Sequence, residues 1–311
     1  MRILQKLRNA ENGIFRSPDK IITLMQINFF VKSHGLGNDY IVLDSAFLNI
    51  NLSTKAIKRI CDIHYGIGSD GILLKIPSSK ADFGVRIFNP DGSEAEKSGN
   101  GLRIFSKFLF DYGYAESPLF TIETLSGVVT AEILEERFGK AQKVKVEMGK
   151  AEFIAGNVPV LSEKEECIGE LLTIADKTYT INCVSVGNPH CVILTDTLND
   201  DEVKTFGPYI ETNSKFPNKI NVQFAKVISP YEVEIRIWER GAGYTLASGS
   251  SSCAVACVTH KLGLTTKDVK IVMPGGNLAI SIDDEWNIKM TGSVREIASG
   301  ILSNELVEDC N

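Results

Sequence analysis

Two segments 150 residues apart repeat one plan, and that repeat leaves few folds open. Each begins with a strand-like run ending Arg-Ile-Phe or Arg-Ile-Trp, passes through a glycine-containing turn, and reaches a Ser-Gly step that opens an apolar stretch. In the first, Asn89 lies nine positions before Ser98-Gly99-Asn100; in the second, Glu239 lies nine before Ser248-Gly249-Ser250. A strand–turn–helix unit recurring at about half the chain implies a duplicated domain with a site between the copies. The apolar stretches predict helices over 99–112 and 249–262. The first carries Leu102, Phe105, Phe108, Leu109 and Tyr112 with Ile104 and Phe110 beside them; the second is apolar over most of its circumference around Ala254, Val255, Ala256, Cys257 and Val258. Helices so apolar belong inside a sheet.

The rest of the chain supplies that sheet. From Gln26 onward, short alternating runs recur between Gly, Asn and Asp punctuation: INFFVKSH, YIVLD, GILLKI, FGVRIF, LFTIETL, GVVTAEI, KVKVEM, YTINCVSV and CVILT. A length of 311 residues fits two domains at ~150 residues each. Residues 1–24 mix Arg2, Lys6, Arg8, Arg16 and Lys20 with Glu11 and Asp19 and lack a signal peptide's apolar core, so they read as an extension; translation from Met1 and from Met25 both fit.

Charge and cysteine usage narrow the chemistry. A net charge of −6 argues against a broad grip on nucleic acid or an anionic membrane, leaving small-molecule chemistry as the leading class. The stretch from Ile21 to Val31 is too short and too polar to span a bilayer. Seven cysteines, an odd number set among apolar neighbours, fit buried thiols in a reducing cytoplasm. Without a CxxC or a ligand set beside Cys253 and Cys257, no metal site is expected.

A serine before a helix is most often an N-cap. Two such serines, each followed by small residues whose backbone amides stay free, also make paired sites for a carboxylate or phosphate. Competing motifs fail. Gly66-x-Gly68-x-x-Gly71 leads into a strand-like run, not a helix, so it lacks the geometry of a dinucleotide loop. Leu246 and Ser250 around Ser248 break the GxSxG pattern of a hydrolase. Asp91, Glu94 and Glu96 lack calcium-loop spacing.

The segments HGLGNDYIVLD from His34, HYGIGSDGILL from His64, RIFNPDGSEAEKSGNGLR from Arg86, VSVGNPHCV from Val184, GPYIETNSKFPNKINVQF from Gly207, WERGAGYTLASGSSSC from Trp238 and MTG from Met290 run in one order over nearly all of the chain after Met25. In that order they resemble the diaminopimelate epimerase family of cofactor-independent amino-acid racemases and epimerases. The resemblance implies an α+β fold of two pseudo-symmetric domains, each a curled mixed sheet or barrel around a central helix, 25–142 with 295–311 forming one and 143–294 the other. It implies no cofactor, an amino acid as substrate, a cytoplasmic enzyme, and leaves a homodimer open.

In that family one thiolate removes the α-proton from one face and a thiol returns it from the other. The matching positions here are Ser98 and Ser248. A thiol of pKa ~8.5, lowered at a helix N-terminus, suits this task; a serine hydroxyl ionises far less readily, so the expected activity is impaired or altered. Cys253, five residues into the second helix, does not repair the motif. By the same resemblance Asn38, Asn89, Asn188, Asn221, Glu239 and Arg240 hold the substrate's distal end and ammonium group, with Gly99, Asn100, Gly249 and Ser250 at the helix starts. Turn and cap chemistry is the plain alternative for the asparagines, and core packing competes with a site role at His190. A pair of Cys→Ser replacements in an active epimerase and a natural divergence both fit; Gly71 in place of Gln, Tyr244 in place of Glu and the run SGSSSC favour divergence. The other readings are a non-catalytic amino-acid-binding homologue and a diverged isomerase or dehydratase on the same scaffold.

Overall fold

A computed structural model describes residues 26–311; the expected extension over 1–24 and the alternative start at Met25 lie outside the described residues. Among the described residues, eighteen strands join in one continuous sheet that curls around two helices. The first half runs through strands Phe29–Gly35, Asn38–Asp44, Ile72–Ile76, Phe83–Phe88, Leu119–Thr124, Gly127–Arg137 and Lys140–Lys150. Their successive pairings are antiparallel, parallel, antiparallel, parallel, antiparallel and antiparallel. The second half repeats that sequence of pairings through Lys177–Ser185, Pro189–Leu194, Asn221–Ser229, Glu232–Glu239, Asp268–Met273, Gly276–Ile282 and Asn287–Ser293.

Parallel neighbours need a crossover, and each half fills its two crossovers with helices. The second crossover of each half is the expected central helix, Gly99–Asp111 and Gly249–Lys261, within one residue of the predicted spans. The first is a helix not foreseen, Thr54–Cys61 in one half and Asp200–Glu211 in the other. Ser53 and Asn199 cap them by accepting from Ala56 N and from Asp201 and Glu202 N, and three acids occupy the first turn of the latter. Those start signals are present in the sequence; Gly207 and Pro208 inside the second helix obscure it. A fifth α-helix among the described residues, Asn304–Cys310, follows the last strand.

The halves are stitched by their last strands, Lys140–Lys150 pairing antiparallel with Asn287–Ser293. Beyond that seam each chain segment crosses over: Ile168–Ile174 pairs with Lys177–Ser185, and Arg295–Ile301 returns to pair with Phe29–Gly35. We propose that the domain division follows this exchange, 143–294 against the rest, with the strand Lys140–Lys150 lying across it. Both central helices are enclosed as their composition requires: every residue from Asn100 to Phe110 is buried, as is Ser251 to Thr259. Leu102, Ile104, Phe105, Phe108 and Leu109 each contribute ~1.5–3 kcal/mol by burial, and this core fixes where the two helix starts point.

Candidate active site between the two central helices

The two helix starts meet. A Cβ built on Gly249 would lie 3.8 Å from the Cα of Gly99 and 3.0 Å from the Met290 sulfur; one on Gly99 would lie 2.5 Å from Met290 Cε and 3.0 Å from Met148 Cε. A side chain at either glycine would have to displace the ends of these methionines, which pack directly on both helix starts. Met290, from the MTG segment, wedges between them.

Above this contact opens a cleft of about 1140 Å³. Its wall includes Asn38, Asn89, Ser98, Gly99, Asn100, Asn188, Glu239, Arg240, Ser248, Gly249 and Ser250, which is every site residue expected from the sequence except Asn221. Asn221 is buried behind the wall, where Nδ2 donates to Pro189 O at 2.8 Å and Oδ1 accepts from Arg240 N at 3.0 Å. It braces the segment that presents Arg240. A second hollow of about 920 Å³, edged by Ile154, Leu161, Leu171 and Lys215, contains none of the expected residues.

Both serines are N-caps, as the plain reading holds. Ser98 Oγ accepts from Gly101 N at 3.0 Å, and Ser248 Oγ from Ser251 N at 3.4 Å. The amides of Gly99, Asn100, Gly249 and Ser250, in the first turns, have no intrahelical acceptor, so a carboxylate in the cleft would find donors and two positive dipole ends.

Their other partners differ. Ser98 Oγ lies 3.2 Å from the Tyr40 hydroxyl, whereas Ser248 Oγ donates to Glu239 Oε2 at 3.1 Å. Glu239 Oε1 also accepts from Thr245 Oγ1 at 2.6 Å. Burial pushes the Glu239 carboxyl above its ordinary value, opposed by these two hydrogen bonds. Burial also raises the Tyr40 phenol; the contact with Ser98 opposes this, while Asp70, Glu239 and Asp39 add to it.

The remaining polar residues form two networks. Asn38 Nδ2 donates to Asp70 Oδ2 at 2.9 Å, Asn100 Nδ2 to Asn38 Oδ1 at 3.2 Å, and Arg103 to Asn100 Oδ1 at 2.7 Å. Arg103 is fully buried under the first helix start without a carboxylate against it, and burial lowers its guanidinium to about 10. On the opposite side His190 Nε2 lies 2.9 Å from Asn188 Oδ1. Burial drops His190 to about 3, so this ring is neutral and sits behind Asn188 in the core. Asn89 closes its own turn through Nδ2 to Ser93 Oγ at 2.9 Å.

Tyr40, Asp70, Lys97, Arg103 and Met290 were not singled out by sequence reasoning. Tyr40 was findable, since it stands two places after Asn38 on one strand face. Arg103 was not: a helical arginine reads as surface. Burial raises the Cys253 thiol to about 12, with Lys97 and Arg103 opposing, so it stays protonated and does not replace the absent thiolate. Two departures used to argue for divergence also lie off the cleft. Tyr244 points to the other side of its strand, its hydroxyl donating to Asp200 Oδ2 at 2.8 Å, and the Cα of Gly71 faces Phe88 O and the Tyr40 ring. Tyr244 therefore does not reach the cleft wall, whereas Gly71 bears on it through Tyr40, whose ring a Cβ at that position would meet at 2.8 Å.

The sequence matches the profile described as diaminopimelate epimerase over residues 30–154 and 182–297. The chain belongs to the diaminopimelate epimerase family. It is 50% identical to diaminopimelate epimerase 2 of Nostoc sp. over 278 residues, covering 89% of this chain and 96% of that one. It is 42% identical to a diaminopimelate epimerase of Methanococcus maripaludis, covering 87% and 98%. Among solved structures, the fold is shared with a probable proline racemase from Agrobacterium radiobacter with bound carbonate, at a TM-score of 0.67 and 14% identity over 89% of this chain and 93% of that one. A hydroxyproline epimerase from Agrobacterium vitis with bound trans-4-hydroxy-L-proline gives 0.66 and 13%, over 88% and 90%. The two-domain pseudo-symmetric architecture is thus that of this family. No helix among the described residues is long and apolar enough to cross a membrane.

Proposed function

We propose that the chain is a cofactor-independent amino-acid epimerase or racemase, acting on diaminopimelate or a related amino acid by α-proton transfer in the cytoplasm. The observation carrying this reading is the convergence of two helix N-termini, each headed by a hydroxyl at the family's thiol position, in one cleft. The α-carboxylate would sit on the free first-turn amides, which stabilise the negative charge that develops when the α-proton leaves. Asn38, Asn89, Asn188 and Arg240 would hold the rest of the amino acid, and Asn221 would position Arg240. Both faces of the cleft come from a single chain, so the reading requires no second copy.

The experiment is α-proton exchange in deuterated water, with chiral separation of products, across an amino-acid panel. We expect the Ser98→Cys/Ser248→Cys protein to invert diaminopimelate and the serine chain to invert it far more slowly. A double-cysteine protein that neither exchanges nor inverts any amino acid overturns the reading. The engagement of both hydroxyls as N-caps favours a second reading, a binding homologue that holds an amino acid without turnover; it predicts a ligand-dependent rise in melting temperature with no exchange.

A further inference from the structure

The two faces of the cleft are chemically unequal. Resting on the epimerase-family reading above, the geometry points to a one-sided catalyst: Ser248 with Glu239 removes and returns an α-proton from the second helix's face, while Ser98 with Tyr40 cannot, so the serine chain exchanges an α-hydrogen with retention.

The two hydroxyls differ in what each can pass its proton to. Ser248 Oγ already donates to Glu239 Oε2 at 3.1 Å. Glu239 lines the cleft with Ser248 and is held by Thr245 on its other oxygen, so the carboxylate has a fixed aim. Ser98 Oγ has Gly101 N as a donor and the Tyr40 hydroxyl at 3.2 Å, with no carboxylate among the described residues bonded to either oxygen. A neutral hydroxyl beside a neutral phenol has no base to relay to.

The step balances through the first pair. The Cα–H bond breaks and its proton moves to Ser248 Oγ as the serine's own proton passes to Glu239 Oε2. The electron pair left on Cα delocalises into the α-carboxylate, forming an enediolate held by the first-turn amides. A carboxyl raised by burial is the stronger base for this, closer to neutral pH than an exposed one. Glu239 then exchanges its proton with solvent in the cleft, and a deuteron returns by the same route to the same face.

Inversion would require Ser98 to supply the proton instead. That leaves either a serine alkoxide or, after relay, a Tyr40 phenolate. Burial and the nearby Asp70, Glu239 and Asp39 charges both oppose the phenolate. On this face the donor is an alcohol competing with the Glu239 carboxylic acid relayed through Ser248, the far stronger acid, so the proton returns from the second face and inversion is slow.

The test measures exchange and inversion separately, by mass spectrometry and chiral chromatography, with each stereoisomer of diaminopimelate in deuterated water. We expect one orientation of α-hydrogen to exchange with retention, inversion below about one-hundredth of that rate, and exchange falling ~10²-fold in both Glu239→Gln and Ser248→Ala. Ser98→Cys alone should switch inversion on, because a thiol of pKa ~8.5 is a far stronger acid than the serine and competes with the return from Glu239; Ser248→Cys alone should leave inversion off. Comparable exchange and inversion in the serine chain, Ser248→Cys restoring inversion better than Ser98→Cys, or Ser248→Ala retaining full exchange would each overturn the inference. Absence of exchange in the serine chain while the double-cysteine protein inverts would overturn it and leave the family reading standing. An inactive double-cysteine protein that is also not stabilised by any amino acid would remove both.

Discussion

Replacing Arg103 should separate stability from binding. The guanidinium has no exposed surface, and its partners are Asn100 Oδ1 at 2.7 Å, Gly99 O at 3.3 Å and the Met290 sulfur at 3.3 Å, while Nε has no partner. Burial without a counter-charge lowers it from 12.5 to about 10. At ~1.4 kcal/mol per unit, the protonated group costs the empty protein ~3 kcal/mol. The sign follows from proton counts: between about 10 and 12.5 the unfolded chain binds a proton that the folded one has released, so stability rises with pH there. At pH 7 the cost is fully present. Arg103→Met removes it and leaves Asn100 Oδ1 unpaired, which costs ~1–3 kcal/mol. The two terms nearly cancel, so the melting temperature of the empty protein should move by less than about 5 °C. Arg103 lies behind the cleft wall and its contacts are internal, so a carboxylate at the first helix start would lose only the pull of a buried charge at a distance and bind about 3–10-fold more weakly. Differential scanning fluorimetry with and without diaminopimelate reads both quantities. A variant that melts more than about 10 °C lower yet keeps the ligand shift would show that Arg103 serves the fold and not the site.

Three further perturbations test other parts of the structure. Burial raises the Cys253 and Cys257 thiols, and Cys183, against an opposing hydrogen bond with Cys167, is held above its ordinary value by its hydrogen bond with Cys191 and by burial, so above pH ~9 the unfolded chain loses protons the folded one keeps, and stability should fall by up to ~1.4 kcal/mol per thiol per pH unit, visible as a steep alkaline drop in the denaturation midpoint; a flat profile from pH 9 to 11 would contradict it. Gly292→Ala places a Cβ 2.4 Å from Leu278 Cδ2 and 3.0 Å from Arg103 Nε, and should cost ~1–3 kcal/mol in urea unfolding; an unchanged midpoint would show that the seam gives way freely. Tyr244→Glu sets a carboxylate near Asp200 and should lower stability by ~1 kcal/mol with ligand affinity unchanged in calorimetry; a changed affinity would place Tyr244 on the cleft after all.

The sequence carried the fold because the fold is repetitive. Strand runs recur with Gly, Asn and Asp breaks, and both central helices are apolar enough to be enclosed, so the sheet-rich class and the place and burial of those two helices were legible in the residue pattern, while only nine runs stood out where eighteen strands form among the described residues. The helices Thr54–Cys61 and Asp200–Glu211 escaped because each is short or interrupted, and its cap is a local signal that a period search passes over. At the site, residues in matched motifs were legible and residues acting across chain distance were not. Asn221 looked like a cleft residue because its motif matched; only the packed structure shows its amide spent on Pro189 and Arg240. Tyr244 misled for the opposite reason, since a motif position says nothing of which strand face a side chain takes.

The symmetry of the backbone and the asymmetry of its side chains carry the functional argument together. A constant spacing of 150 residues sets Asn38 against Asn188, Tyr40 against His190, Asn89 against Glu239, Ser98 against Ser248 and Arg103 against Cys253. Like residues fall where a symmetric job is done, the two helix caps and the two amides beside them. Unlike residues fall where charge matters: a buried guanidinium lies under the first helix start and a buried carboxylate beside the second. A carboxylate ligand is therefore drawn toward the first helix, and the base that faces its α-hydrogen stands at the second. With thiols at both caps, such a cleft could take a proton on one side and give one on the other despite this polarity, because a thiol serves in either protonation state near neutral pH. With serines at both caps the polarity decides, and proton traffic is confined to the side where Glu239 waits.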